Sequence, residues 1–233
     1  MQRILRILIV EDEAAIRAGL ADVFVFHGYA VDTAVDGVEG LRMALGGSFD
    51  LVLLDVMLPG MNGFDVCNRI RERDQEQAII LLTARSGDED IIRGLTLGAD
   101  DYVAKPFSIT QLVLRVQAVL RRSRAAGELQ GRILLGGEVE VDVRNLCGRR
   151  GDEVLAFTRR EADILRYLAS NAQRPVSRDE LLHKVWGYAR QLNLETRTVD
   201  IHMAKLRRKI EPDPAIPRNL VTVRGAGYRL VLA

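Results

Sequence analysis

Six side chains stand directly after short apolar runs. Glu11, Asp12 and Glu13 follow "RILIV", Asp55 follows "LVLL", Thr83 follows "IILL" and Lys105 follows "YVA". Clustered carboxylates repel one another, and a hard divalent cation such as Mg2+ relieves that repulsion while keeping several waters. A metal beside a carboxylate and a lysine neutralises an incoming phosphoryl group. Phosphoryl transfer is mainly positioning and charge neutralisation, and an aspartate can itself attack phosphorus to give an acyl phosphate. Asp55 is the expected nucleophile, with Thr83 donating to one phosphoryl oxygen and Lys105 pairing with another. Taken singly, each group has a plainer use, since an acidic pair at a loop is usually a solvated turn and Lys-Pro is usually only a turn. Jointly they point to one site. A cis Lys105–Pro106 bond would aim Lys105 inward, and the sequence leaves that isomer open.

These groups meet only if the runs before them are parallel strands of one sheet, whose C-terminal ends share an edge. Strand candidates are Ile4–Val10, Ala30–Ala34, Leu51–Leu54, Ile79–Leu82 and Tyr102–Val103. Helical patterns alternate with them: Ile16, Leu20, Val23 and Phe24, then segments near 37–45, 64–72, 89–97 and 109–122. Alternation of this kind predicts an α/β fold, a flavodoxin-like five-stranded parallel sheet of order 2-1-3-4-5 with helices on both faces. Pro59, Gly60 and Gly63 then turn the chain away from Asp55.

The small and polar stretch "RRSRAAGELQGR" breaks the alternation, and the expected division is 1–122, a linker 123–131, and 132–233. Beyond it come strand pieces Ile133–Leu135, Val139–Val143 and Val154–Ala156. Thr158 with Glu161, and Ser177 with Glu180, match capping boxes that start helices near 159 and 178. A third helix over 196–210 carries Val199, Met203, Leu206 and Ile210 on one face. The closing "LVTVRGAGYRLVL" is a hairpin signal. Three helices and a terminal hairpin describe a winged helix-turn-helix, an α+β unit.

Composition, 48% hydrophobic and 28% charged, is that of a globular chain, and no apolar run is long enough to span a membrane. The N-terminal run reads as a first strand rather than a signal peptide. Cys67 and Cys147 have no ligand partners at metal spacing and read as free, mostly buried thiols in a reducing cytoplasm. Residues 1–122 carry 13 Lys and Arg against 18 Asp and Glu, and residues 123–233 carry 20 against 14. The basic second half suits a polyanion. Opposite the apolar stripe of the third helix lie Arg197, Ile201, Ala204, Lys205 and Arg208. They form a basic face with one β-branched side chain, suited to a DNA major groove. The alternative is a solvated basic helix. Arg224, beside a glycine turn, could enter the adjacent minor groove.

"ILIVEDE", "LVLLDVMLPGMNGFD", "LLTAR" and "GADDYVAKPF" together resemble the receiver domain of bacterial two-component response regulators over the whole of 1–122. The resemblance implies Asp55 as phospho-acceptor from a sensor histidine kinase. It also implies Mg2+ on Asp12, Asp55 and the Met57 main-chain carbonyl, with Glu11 acting through water. Thr83 and Tyr102 would be the switch pair. A phosphatase or phosphotransferase with an aspartyl-phosphate intermediate is the enzymatic rival, and the short loops after the strands leave it no substrate pocket or lid. A DNA-binding module whose receiver works without phosphate is the other rival. The resemblance implies no enzyme beyond the receiver's own phosphorylation and dephosphorylation.

"TRREADILRYL", "DELLHKVWG", "ETRTVDIHMAKLRRKI" and "VTVRGAGYRL" resemble the effector domain of the OmpR/PhoB subfamily. By position, Arg197, Thr198, Ile201, His202, Lys205 and Arg207 would contact double-stranded DNA, joined by Arg208 on the same helix, with Arg224 in the minor groove. Asp200 would orient an arginine, and Trp186 would pack near the backbone. The loop "GYARQLNLE" often touches RNA polymerase in this subfamily. Ala204 stands where some relatives have a base-reading arginine. Phosphorylation is expected to favour a homodimer through the receiver's fourth helix, fifth strand and fifth helix, placing two effector domains on repeated half-sites. Ile92, Leu95 and Val113 would form its apolar patch, and Asp101 with Arg115 one pair of its charged ring. Ile91 and Gln111 replace both members of one ring pair, which avoids an orphan charge, and Gln117 stands where a lysine is usual, which is expected to leave Asp100 unpaired at that ring. Gln111 could equally close a capping box with Ser108.

Overall fold

The computed structural model describes residues 3–83, 94, 97–123, 131–188 and 197–232, the side chains of 121–123 and 197 excepted. The chain divides into two compact units, Met1–Ala125 and Ala126–Ala233.

In the first unit, β1 (Arg6–Val10), β2 (Ala30–Ala34), β3 (Leu51–Asp55), β4 (Ile79–Thr83) and β5 (Asp101–Ala104) alternate with α1 (Ala14–Phe26), α2 (Gly37–Gly46), α3 (Gly63–Arg73) and α4 (Ile109–Ser123). The helical pattern near 89–97 lies outside the described residues, apart from Gly94 and Leu97. The sheet order is β2-β1-β3-β4-β5, parallel throughout, as the motif order predicts. β3 and β4 are buried along all five residues each, which is why they read as unbroken apolar runs. Ile7, Ile9, Leu51, Leu53, Ile80 and Leu82 point to the face covered by α1 and α4, where Leu20, Phe24, Leu112, Val116, Val119 and Leu120 complete the core. Asp36 caps α2 and Asn62 caps α3 by accepting the amides of Glu39 and Asp65, each cap worth about 1 kcal/mol.

One expectation for this unit needs correcting. Val113 belongs to the core cluster and is 5% exposed, because α4 turns it to the sheet with Leu112 and Val116, so it offers no surface patch. Within its own chain Asp100 meets Arg71, near the end of α3, at 3.1 Å and accepts the Ile79 amide at 2.9 Å.

The second unit opens with an antiparallel sheet, β6 (Arg132–Leu135), β7 (Val139–Asp142), β8 (Cys147–Arg150) and β9 (Glu153–Ala156), in that order. Three helices follow, α5 (Arg159–Ala169), α6 (Arg178–Lys184) and α7 (Arg197–Ile210), then the hairpin β10 (Leu220–Val223) and β11 (Gly227–Leu230). Thr158 and Glu161 close their capping box in both directions. Ser177 caps the Glu180 amide, whereas the Glu180 carboxylate turns to Arg174 and Tyr167. Val176 exchanges both main-chain hydrogen bonds with Tyr228, fastening the hairpin to the start of α6. Gly227 allows that approach: it has φ +119°, and a Cβ there would lie 2.1 Å from the Val176 oxygen. Cys67 is buried as expected, but Cys147 is exposed, because it sits on an outward position of β8.

Candidate functional site

The C-terminal edge of the first sheet gathers the reactive groups. Asp55 ends β3 and is 3% exposed, and Gly63 returns the chain so closely that a Cβ there would meet the Asp55 carbonyl oxygen at 2.1 Å. Only glycine fits this return. Lys105, one residue past β5 and followed by a cis bond to Pro106, places its ammonium 2.8 Å from both Glu11 Oε2 and Asp55 Oδ2. The Met57 amide donates to Asp55 Oδ1 at 3.3 Å. Carboxylate oxygens of Glu11, Asp12 and Asp55 lie within 4.8 Å of one another. Thr83 ends β4, buried, and its carbonyl accepts the Lys105 amide at 2.7 Å. Tyr102, on β5 beside Leu81, is buried as well.

Burial pushes the Glu11 carboxyl up from its usual range, and the neighbouring Asp55 charge adds to that, against the stabilising pull of Lys105. Burial also works against the Lys105 charge, yet hydrogen bonds to Asp55 and Glu11 outweigh it and hold its pKa above the ordinary lysine value. Three carboxylates thus face one ammonium. Like charges about 4 Å apart cost roughly 4 kcal/mol at an effective dielectric near 20, so the cluster favours a further cation. The donors are hard oxygens with no sulfur or imidazole among them, and Asp12 is exposed, which fits Mg2+ with retained waters.

Known proteins bear on this arrangement at two levels. The response regulator receiver domain family matches residues 7–117, and the family described as transcriptional regulatory protein, C terminal, matches 151–230. The sensory transduction protein RegX3 of Mycobacterium tuberculosis is 42% identical over 226 residues, covering 96% of this chain and 98% of its own. The chain is a response regulator of the OmpR/PhoB type. The DNA-binding response regulator MtrA of Mycolicibacterium smegmatis is likewise 42% identical, over 96% of both chains. Among solved structures, DrrB of Thermotoga maritima, an OmpR/PhoB homologue, is 32% identical with a TM-score of 0.53 over 98% of this chain and 99% of that one. A mutant of RitR reaches a TM-score of 0.74 at 30% identity, over 98% and 100%. As a response regulator, the protein couples phosphorylation to control of transcription, with a histidine kinase and DNA as partners. No helix among the described residues is long and apolar enough to cross a membrane.

The effector unit of this response regulator is less open than helical rotation predicts. On α7, Ala204 and Arg208 are exposed, and Arg224 is exposed at the hairpin turn. Thr198, Ile201, His202 and Lys205 are buried, so the basic face with an exposed β-branched residue is corrected to a narrower one. The reason for Lys205 is Glu161, a fully buried carboxylate, which lies 3.2 Å from Lys205 and 2.7 Å from Lys209. Arg207 donates to the Leu220 carbonyl at 2.8 Å and to Thr222 Oγ1 at 2.7 Å. Trp186 is fully buried, its ring 5.2 Å from His202 and under the Arg160 guanidinium. Asp200 accepts from Arg178 of α6 at 2.6 Å, and the Tyr228 hydroxyl donates to the same oxygen. Burial, then the Asp200 hydrogen bond, pushes the Tyr228 phenol up to about 12.

At the expected dimer face, Arg115 meets Asp101 of the same chain at 2.7 Å, with Asp101 fully buried. Ile91, Ile92 and Leu95 lie outside the described residues, as do the Arg197 side chain and most of the 187–195 loop. The Gln111 amide reaches Ser108 Oγ at 3.5 Å, the first half of a capping box. Sequence reasoning missed Arg17, Arg71 and Arg178. Glu161 was legible only as a capping residue.

Proposed function

We propose that Asp55 accepts a phosphoryl group from the phosphohistidine of a sensor kinase. The observation that carries this is the double contact of Lys105 with Glu11 and Asp55 inside a cluster of three carboxylates. An Asp55 oxygen attacks phosphorus as the phosphorus–nitrogen bond breaks, and the electron pair stays on the donor imidazole. Asp12, Asp55 and the Met57 carbonyl would hold Mg2+, with Glu11 behind a water, and the ion would supply charge neutralisation. Lys105 moves its ammonium from the carboxylates to a phosphoryl oxygen, and the Thr83 hydroxyl donates to another. Thr83 and the buried Tyr102, on neighbouring strands, then act as the switch pair. The unit does no chemistry beyond its own phosphorylation and dephosphorylation.

The receiver spans 1–122, a linker 123–131, and the effector 132–233, all in the cytoplasm. DNA is read by α7 and the hairpin. Ala204, Arg208 and Arg224 are exposed there, and Arg197 opens the helix. Thr198, Ile201, His202, Lys205 and Arg207 reach DNA only by leaving the partners or packing described above. Phosphorylation favours a receiver homodimer around Asp101 and Arg115, which sets two effectors on repeated half-sites, and the 187–195 loop is offered to RNA polymerase.

The test is uptake of label from a small acyl phosphodonor with Mg2+. Wild type is expected to become labelled and Asp55→Asn to take up none. Labelling of that variant moves the nucleophile elsewhere, and an unlabelled wild type makes the receiver a phosphate-independent module.

A further inference from the structure

Arg17 stands in the first turns of α1, and its Nη1 donates to two consecutive main-chain oxygens, Glu11 at 2.7 Å and Asp12 at 2.9 Å. We propose that Arg17 is a positioning residue for the cation site: by holding the main chain of Glu11 and Asp12 it sets where their carboxylates point. This rests on the reading that the acidic cluster takes Mg2+.

The local chain explains why such a clamp is needed. The N-cap of α1 is Glu13, whose side chain makes no capping hydrogen bond, and the first turn holds no acidic residue. Helix entries usually gain their definition from a side-chain cap. Here the Arg17 amide closes the helix on the Glu13 carbonyl at 2.9 Å, while its guanidinium reaches past Glu13 to the two residues before it. On the strand side, the Glu11 amide is fixed to the Ala34 carbonyl at 3.2 Å. The two acidic residues are therefore tied at one end to β2 and at the other to α1. Arg17 contacts carbonyls rather than carboxylates, so it takes none of the carboxylate oxygens, although Glu11 Oε2 meets Lys105 at 2.8 Å and Oε1 accepts the Glu13 amide at 3.4 Å.

Charge alone and positioning predict opposite signs. A guanidinium beside a dication site repels the ion, so removing it would tighten binding if charge were its whole effect. If Arg17 orients the ligands, removing it weakens binding, and outer-shell partners of metal ligands typically matter about 10- to 100-fold.

The experiment is calorimetric titration of Mg2+ into the full-length chain. Arg17→Ala and Arg17→Gln are expected to weaken Mg2+ binding about tenfold. Arg17→Lys, which keeps the charge on a shorter side chain that does not place a nitrogen where Nη1 lies, is expected to stay nearer to Ala than to wild type. Far-UV circular dichroism at the assay temperature confirms folding, and Gln decides the matter if Ala is unfolded. Unchanged or tighter binding in the folded variants overturns the proposal. Wild type that binds no Mg2+ overturns the cation reading itself, whereas binding lost in Asp12→Asn but intact in the Arg17 variants overturns the role of Arg17 alone.

Discussion

Arg71 and Asp100 form an ion pair at 3.1 Å with side chains only 6% and 7% exposed. Arg71 also donates to the Gly98 and Asp74 carbonyls, at 2.9 Å and 3.1 Å, so α3 is fastened to the segment that enters β5. A buried pair gains little over a well-packed apolar one, but removing a single partner strands a charge. Arg71→Met should therefore destabilise the receiver by about 3–5 kcal/mol. Urea unfolding followed by circular dichroism measures it, and a cost below about 1 kcal/mol would show that water reaches Asp100 freely.

Glu161 gives a pH dependence to the effector unit. Its burial works against ionisation, yet Lys205, Lys209 and the Thr158 amide overcome that and hold its carboxyl below the usual value of 4.5. A depressed carboxyl contributes stability that is fully present above 4.5 and is lost as pH falls toward its folded value. Trp186, the single tryptophan, is fully buried in this unit and reports on it alone. In Glu161→Gln, fluorescence-monitored melting should show lower stability at neutral pH, by roughly 3 kcal/mol, and a flatter acid limb. An unchanged acid limb would assign the pH dependence to other groups.

Gly63 constrains the main chain at Asp55 sterically. A Cβ at 2.1 Å from the Asp55 carbonyl oxygen forces the β3 end to move. Gly63→Ala should cost about 1–3 kcal/mol as overpacking and slow labelling of Asp55 by about 100-fold, the penalty of an ångström-scale misplacement. Labelling at the wild-type rate in a folded variant would mean that the turn yields without disturbing Asp55.

What the sequence made legible follows the reach of each interaction. Apolar runs such as Leu51–Leu54 and Ile79–Leu82 announce buried strands, and the groups after them share an edge once the order is known. β8 was not legible because "CGRR" has neither alternation nor β-branched residues, and the partner strands supply its pairing. The Arg71–Asp100 pair was not legible because its members lie 29 residues apart, a separation that no local spacing reveals. Glu161 shows the same limit, since its capping role is written three residues away and its two lysines are not. Val113 was drawn outward by family likeness, although its spacing with Leu112, Val116 and Leu120 places it inward.

The two oxygens of Asp55 are not interchangeable. Oδ2 is held by an ammonium at 2.8 Å, and Oδ1 faces a main-chain amide at 3.3 Å. The fold has broken the symmetry of a symmetric functional group before any ligand arrives. One oxygen is held by the side-chain ammonium of a residue beyond β5, and the other by the main chain two residues along. The Asp55 carboxylate therefore has two distinct ends, set by Lys105 on one side and the turn at Met57 on the other.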